Sequence, residues 1–318
     1  MNEDIKVSVI CNAYNHGNYI RDALESFVMQ ETNFAYEVLV HDDASTDDTA
    51  KIIEEYAEKY PDIIKPILQK ENQYSKGVLI TKEYQVSRAK GKYIAFCEGD
   101  DYWSDKHKLQ KQFEAMENHP EADMCTHKAD RIAADAKKFF SPVPAGYQTG
   151  IIPVEDVILG GGGFVATNSL FYRKSIWENE LQFRKDMSYD YTLQISGALR
   201  GGLYYIDDIM SVYRMNAPGS WSARMNSSVD KQVGHFEKQI SMLRQLDKDT
   251  EGKFKSAIEK RILALEFTIL ERKKNYRALK KNPYKEVYLS QSFRKKLKIN
   301  LGIYCPKLAE AVKIIRKK

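Results

Sequence analysis

An apolar run, Tyr93-Ile94-Ala95-Phe96-Cys97, gives way without a spacer to Glu98-Gly99-Asp100-Asp101 and then to Tyr102-Trp103. Five apolar residues that stop at a polar, glycine-containing step read as a buried strand. The arrangement recurs twice upstream. Val7-Ser8-Val9-Ile10-Cys11 ends in Asn12-Ala13-Tyr14-Asn15, and Glu37-Val38-Leu39-Val40-His41 ends in Asp42-Asp43-Ala44-Ser45. Between these strands lie amphipathic helices, one with Ile20, Ala23, Leu24, Phe27 and Val28 on a face, the next with Thr49, Ile52, Ile53, Tyr56 and Ala57. Ser45, three residues before Asp48, reads as the cap of the second helix. A weaker strand over Ile64–Leu68 and a helix across about 79–90 complete the alternation. Strands alternating with helices predict an α/β fold, a mostly parallel, Rossmann-like sheet with helices on both faces. Such sheets bind ligands outside the carboxyl ends of their strands, and three of those ends here are polar or acidic.

Farther along, Ala122–Thr126 and Ser169–Tyr172 read as strands. Leu203–Ile206 and Met210–Tyr213 read as a short closing pair, with Asp207-Asp208 as the turn between them. From about residue 228 the pattern changes to long, charged helical segments with a break near Asp247-Lys248-Asp249. The expected organisation is an α/β domain over 1–225 and a helical C-terminal region with a basic tail over 226–318. The net charge of +5 divides unevenly: residues 281–318 carry eleven Lys/Arg against two acids, and the remainder sums to −4. A basic tail on a mildly acidic body points to an anionic surface. Leu308, Ala311, Val312 and Ile315 recur at helical spacing after Pro306, so an amphipathic helix is expected there, with Arg294-Lys295-Lys296 and Lys298 as a second basic cluster upstream. No apolar run approaches the roughly 18 residues of a spanning helix. Met1-Asn2-Glu3-Asp4 leads straight into a strand, so no signal peptide is expected, and four cysteines without metal-ligand spacing suit a reducing cytoplasm.

The acidic strand ends suggest distinct chemistry. Three carboxylates within Glu98–Asp101 repel one another unless a proton or cation intervenes, and hard oxygen ligands suit Mg²⁺ or Mn²⁺ shared with a diphosphate. Gly99 would let the backbone approach the ligand. Asp42 and Asp43 open a helix, where a carboxylate either caps backbone N–H groups or accepts from a nucleobase. The run Gly160–Gly163 lacks the strand and helix that a dinucleotide fingerprint requires; it reads as a loop near an acceptor, with Thr167 and Asn168 at hand.

The motifs Val7-Ser8-Val9-Ile10…Tyr14-Asn15, Asp42-Asp43-Ala44-Ser45-Thr46-Asp47 and Gly91–Phe96 with Glu98-Gly99-Asp100-Asp101-Tyr102-Trp103 resemble the family-2 glycosyltransferases, inverting enzymes of GT-A fold that use nucleotide-sugars. Order and spacing match over about residues 5–115 and more loosely to about 222. The resemblance implies that Asn12, Tyr14, Asp42 and Asp43 surround the base. It implies that Glu98 and Asp100 hold the divalent ion and the diphosphate, with Asp101 as the alternative ligand. Trp103 is then a platform under the donor sugar or a core tryptophan. Arg214 faces diphosphate or makes an ion pair, and Val212-Tyr213-Arg214…Gly219–Ser222 resembles the segment that closes over the donor. Asp190 matches the position of the catalytic base, with Asp186 next in line and helix capping as its alternative role.

The implied reaction moves one sugar from a nucleotide-sugar, uridine-linked by resemblance, to a hydroxyl of a glycan acceptor. Chain-extending synthases of the family carry spanning helices and a QxxRW-type signature, neither of which occurs here. The expected setting is bacterial surface-polysaccharide (capsule) assembly on a lipid-linked acceptor, by a cytoplasmic protein peripheral to the inner face of the membrane. No nucleic-acid partner is expected. A sugar nucleotidyltransferase would need a Gly-rich, basic loop after the first strand, which Asn12–Asn15 lacks. A non-catalytic nucleotide- or membrane-binding protein would leave the acidic strand ends without a purpose.

Overall fold

The computed structural model describes residues 4–178, 180–185, 190–217, 225 and 228–305. The chain forms two compact units, Met1–Ala223 and Arg224–Lys318. The first is built on a ten-stranded sheet. Its strands are β1 (Ile5–Ala13), β2 (Ala35–Asp42), β3 (Ile64–Leu68), β4 (Tyr93–Phe96), β5 (Tyr102–Trp103), β6 (Met124–Ala133), β7 (Phe139–Val143), β8 (Gly150–Ile152), β9 (Phe171–Arg173) and β10 (Leu203–Met215). The order is β3-β2-β1-β4-β9-β6-β10-β5, with β7 on β6 and β8 on β10. β1 to β4 are mutually parallel, β9 runs against β4 and β6, and β6 and β10 are again parallel. Both faces of β1 are covered, so Val7, Val9, Ile10 and Cys11 are all buried, as a near-continuous apolar run requires.

Helices α1 (Ile20–Val28), α2 (Thr49–Lys59) and α3 (Lys108–Asn118) pack on this sheet. α1 buries Ile20, Ala23, Leu24 and Phe27 at the spacing of a single stripe. Gly91 precedes β4 because a Cβ there would lie 2.5 Å from the backbone nitrogen of Ser8. The shorter helices α4 (Val154–Gly160), α5 (Gln182–Lys185) and α6 (Asp190–Ala198) follow.

Three local expectations are corrected. The segment 79–90 holds only a π-helical stretch, Thr81–Val86, rather than a full helix. The closing pair is one strand, β10, whose parallel register on β6 shifts between Ile206 and Ile209. Asp207 and Asp208 therefore sit at a bulge, held by Lys128 and Lys111 at 2.8 and 2.9 Å. Ser45 does not cap α2, whose preceding residue is Asp48; its hydroxyl donates to Asp42 instead.

The second unit contains α7 (Val229–Asp249), α8 (Lys255–Arg272), α9 (Lys285–Ser290) and α10 (Phe293–Tyr304). Ser228 and Ser292 cap α7 and α10 through their side chains. The break expected near Asp247-Lys248-Asp249 falls just beyond them, at Glu251 and Gly252, both at positive φ. Phe267, Leu279, Tyr288 and Ile299 form one core cluster of this unit, and Leu243, Leu246, Ile258 and Leu265 are buried as well. The helix expected after Pro306 lies outside the described residues.

Candidate donor-binding site

Parallel register brings the strand ends together. Asn12 stands beside His41 and Ala13 beside Asp42. Backbone bonds from Asp43 N to Ala13 O (3.0 Å) and from Gly99 N to Asn12 O (2.9 Å) stitch the loops that follow. The Asp43 carboxylate is buried and accepts the N–H groups of Gln73 (2.7 Å) and Tyr74 (3.1 Å), so it secures the loop beyond β3 and caps a short 3₁₀ turn rather than α2. Asp42 accepts from Ser45 N at 3.0 Å. Ala44 between them is held at φ 60°, a left-handed conformation that costs a non-glycine residue about 1–3 kcal/mol and recurs at ligand sites. Asn12 donates to Thr81 Oγ1 at 3.0 Å, while its buried Oδ1 has no partner among the described residues. Tyr14 is exposed, with its ring accessible to a flat ligand.

Next to this lies the acidic step. Glu98, Asp100 and Asp101 each present a carboxylate oxygen, all within 4.8 Å of one another. Asp101 is fully buried: Oδ1 accepts from Arg214 N at 2.7 Å and Oδ2 has no partner among the described residues. Burial, followed by the charge of Asp100, pushes its carboxyl well above the usual range, and the Arg214 N–H opposes that rise. An orphaned buried oxygen among three converging hard donors fits a divalent cation. Gly99 is explained by the protein's own packing, because a Cβ would meet His16 Nδ1 and Ile20 Cδ1 at 2.9 Å.

Asp190 opens α6, and its Oδ2 accepts from Thr167 Oγ1 at 2.7 Å. The residue as a whole is exposed, yet protein crowds its carboxyl. Desolvation raises its pKa, and the Thr167 bond works the other way. Strand β10 links the two halves through the chain: Asn168, next to Thr167, bonds to Val212 O at 2.9 Å, and Arg214 N bonds to Asp101. Tyr213 lies between them. Burial first, then the charges of Asp101, Glu98, Asp190 and Asp100, push its phenol up.

A family model described as Glycosyl transferase family 2 matches residues 8–179. The chain belongs to glycosyltransferase family 2. An uncharacterized protein of Mycobacterium tuberculosis is 37% identical over 215 residues, 68% of this chain and 60% of that protein. The chain thus spans under two thirds of such a relative's length. TuaG of Bacillus subtilis, a glycosyltransferase named for teichuronic acid biosynthesis, is 38% identical over 110 residues, 35% of this chain and 41% of its own. Among solved structures, Staphylococcus aureus TarS 1-349 in complex with UDP-GlcNAc superposes with a TM-score of 0.59 at 18% identity, covering 92% of this chain and 78% of that one. The mannosyltransferase PcManGT of Pyrobaculum calidifontis, in complex with GDP-Man and Mn²⁺, gives 0.58 at 16% identity, covering 100% and 91%. The fold is GT-A, with a helical C-terminal region.

Within this family-2 domain, two residues with alternatives left open take the structural one. Trp103 is in the core, 1% exposed; its Nε1 donates to Asn168 O at 3.0 Å, Phe27 meets its ring edge-on, and Lys108 Nζ lies 4.0 Å from the ring centroid. No face remains for a sugar. The Arg214 guanidinium is occupied by the Asp22 carboxylate and, at 2.9 Å, by the Asp100 carbonyl, between the rings of Tyr19 and Tyr102. It braces the acidic loop through an ion pair. Asn168 is likewise a buried strut, bonded to Ser211 and Val212. Asp186 and Gly219–Ser222 lie outside the described residues. Thr81, Asp22 and the Gln73-Tyr74 backbone joined the site without any local signal, because their partners are distant in sequence.

Proposed function

We propose that the chain is an inverting glycosyltransferase that moves a single sugar from a nucleotide-sugar, uridine-linked, to a hydroxyl of a glycan in bacterial surface-polysaccharide assembly. The observation that carries this is the convergence of the Glu98, Asp100 and Asp101 carboxylate oxygens within 4.8 Å of one another, on a loop bonded through Gly99 N to Asn12 O, next to the Asp43 N bond to Ala13 O. Asn12, Tyr14, Asp42 and Asp43 bind the base. Asp100, Glu98 and Asp101 would hold Mn²⁺ or Mg²⁺, which supplies positive charge against the departing diphosphate. Asp190 orients the acceptor hydroxyl and takes its proton as the oxygen bonds to the anomeric carbon. The bond to the diphosphate breaks with its electron pair staying on the diphosphate, and one displacement inverts the centre. UDP-GlcNAc and GDP-Man in the complexes of the structural neighbours, and the TuaG name, support this class of donor and setting.

We further assign donor chemistry to residues 1–225 and attachment to an anionic, inner membrane face to the basic region within 226–318. No helix among the described residues is long and apolar enough to cross a membrane. A thermal-shift screen of nucleotide-sugars with and without Mn²⁺ tests the donor; a ligand at 100 times its Kd adds about 2.7 kcal/mol. Asp190→Asn should then keep donor affinity within a few-fold and lose about 10²–10⁴ in transfer. Full transfer by folded Asp190→Asn would move the base elsewhere.

A further inference from the structure

Helix α10 has two apolar faces, one packed into its unit's core and one largely exposed, where Leu301 is half-buried and Lys280 Nζ lies 5.4 Å from the Tyr304 ring centroid. Ile299 and Ile303 pack into the core of the helical unit with Phe267, Leu279 and Tyr288. On the opposite side Phe293, Leu297, Leu301 and Tyr304 recur at spacings of four, four and three, the repeat of a single helical stripe. Phe293 is 79% exposed, Leu297 47% and Tyr304 70%. Scattered exposed apolar residues are ordinary, but a continuous stripe with aromatic residues at both ends is not.

The charge around this stripe is of one sign. Residues 293–304 contain Arg294, Lys295, Lys296 and Lys298 and no acid. Lys295 and Lys298 pair with Glu271 at 3.3 and 2.9 Å. Arg294 and Lys296, flanking the stripe on either side, have no acidic partner among the described residues. An apolar stripe bordered by free cations matches an anionic lipid surface, where apolar side chains enter the acyl boundary and the cations remain among the headgroups.

We infer that α10 is the membrane-facing element of this protein: it lies in the plane of an anionic bilayer surface with Phe293, Leu297 and Tyr304 inserted and Arg294 and Lys296 on headgroup phosphates. The inference rests on the membrane reading above and gives the helix that carries the upstream basic cluster its own part in attachment.

The test is co-sedimentation of the full chain with vesicles of phosphatidylglycerol and phosphatidylcholine in equal parts, against phosphatidylcholine alone. The intact chain pellets with the anionic vesicles and leaves them at high salt, because surface attraction is screened. The double variant Phe293→Ser, Leu297→Ser binds at least tenfold more weakly. Arg294→Ala with Lys296→Ala weakens binding roughly thirtyfold at low salt. Phe293, Arg294 and Leu297 are exposed and Lys296 is half-buried, so unfolding midpoints are read beside binding and should match the parent; Leu297→Trp, which enlarges the stripe, should tighten binding. If both double variants pellet like the intact chain, the assignment to α10 fails while membrane attachment stands. If the intact chain stays in the supernatant at low salt, both fail. Equal binding to uncharged vesicles would remove the role given to Arg294 and Lys296.

Discussion

Thr167→Val keeps the volume of a buried side chain and deletes one hydroxyl. In the parent that hydroxyl donates to Asp190 Oδ2 at 2.7 Å. A hydrogen bond to a charged group contributes about 1.5–3 kcal/mol, and it favours the carboxylate over the acid. Its loss therefore raises the Asp190 pKa by about one to two units, at roughly 1.4 kcal/mol per unit. Burial already holds that pKa above the ordinary carboxylate value, so the substitution pushes it further the same way. A general base works only when deprotonated. The acid limb of the kcat/KM profile should accordingly move to higher pH by about one to two units, with the plateau above it preserved. Release of nucleoside diphosphate, followed across pH in parent, Thr167→Val and Thr167→Ser, reads this directly. Serine restores the donor and should restore the limb. A folded Thr167→Val enzyme whose acid limb coincides with the parent's would refute the assignment of Asp190 as base, or of Thr167 as its partner.

Asp43→Ala removes the acceptor of two backbone N–H groups, so urea unfolding should show a loss of at least about 2 kcal/mol. Calorimetry should show uridine diphosphate bound tenfold to a hundredfold more weakly; unchanged values in both would discard the residue's role. Lys108 is fully buried and its amine is pulled down to about 7 by desolvation. The unfolded chain, with an ordinary lysine, binds more protons between about pH 7 and 10, so stability should rise across that window by on the order of 4 kcal/mol. Lys108→Met should be the more stable protein near pH 7, with the gap closing toward pH 10; a constant gap in denaturation midpoints would contradict a buried, titrating amine. Chelation should abolish transfer, Mn²⁺ or Mg²⁺ should restore it, and Asp100→Ala should resist rescue. Full activity after exhaustive dialysis against EDTA would rule out metal assistance.

The sheet and the acidic strand ends were legible because buried parallel strands are continuous apolar runs that stop abruptly at polar residues. Val7–Cys11, Val38–His41 and Tyr93–Cys97 all obey that rule, and the residues after them meet at one edge. Trp103 was ambiguous because a tryptophan after a strand can point inward or outward, and its partners, Phe27, Asn168 and Lys108, come from three other segments. Arg214 was open for the same reason. Asp207-Asp208 looked like a turn because paired aspartates favour turns, whereas lysines on neighbouring elements stabilise the same pair at a bulge. Thr81 and the Gln73-Tyr74 backbone entered the site through long-range pairing, which local patterning cannot register.

The brace at Arg214 bears on how this protein is made. Its three bonds into the acidic loop and α1 span 113, 114 and 192 residues. During synthesis the strands carrying Glu98, Asp100 and Asp101 leave the ribosome long before residue 214. Contacts of such sequence separation are slow to close, so a nascent chain cut off at the limit of the family match, residue 179, would hold three crowded carboxylates with nothing to brace them. The acidic loop is thus completed late in translation, when β10 docks.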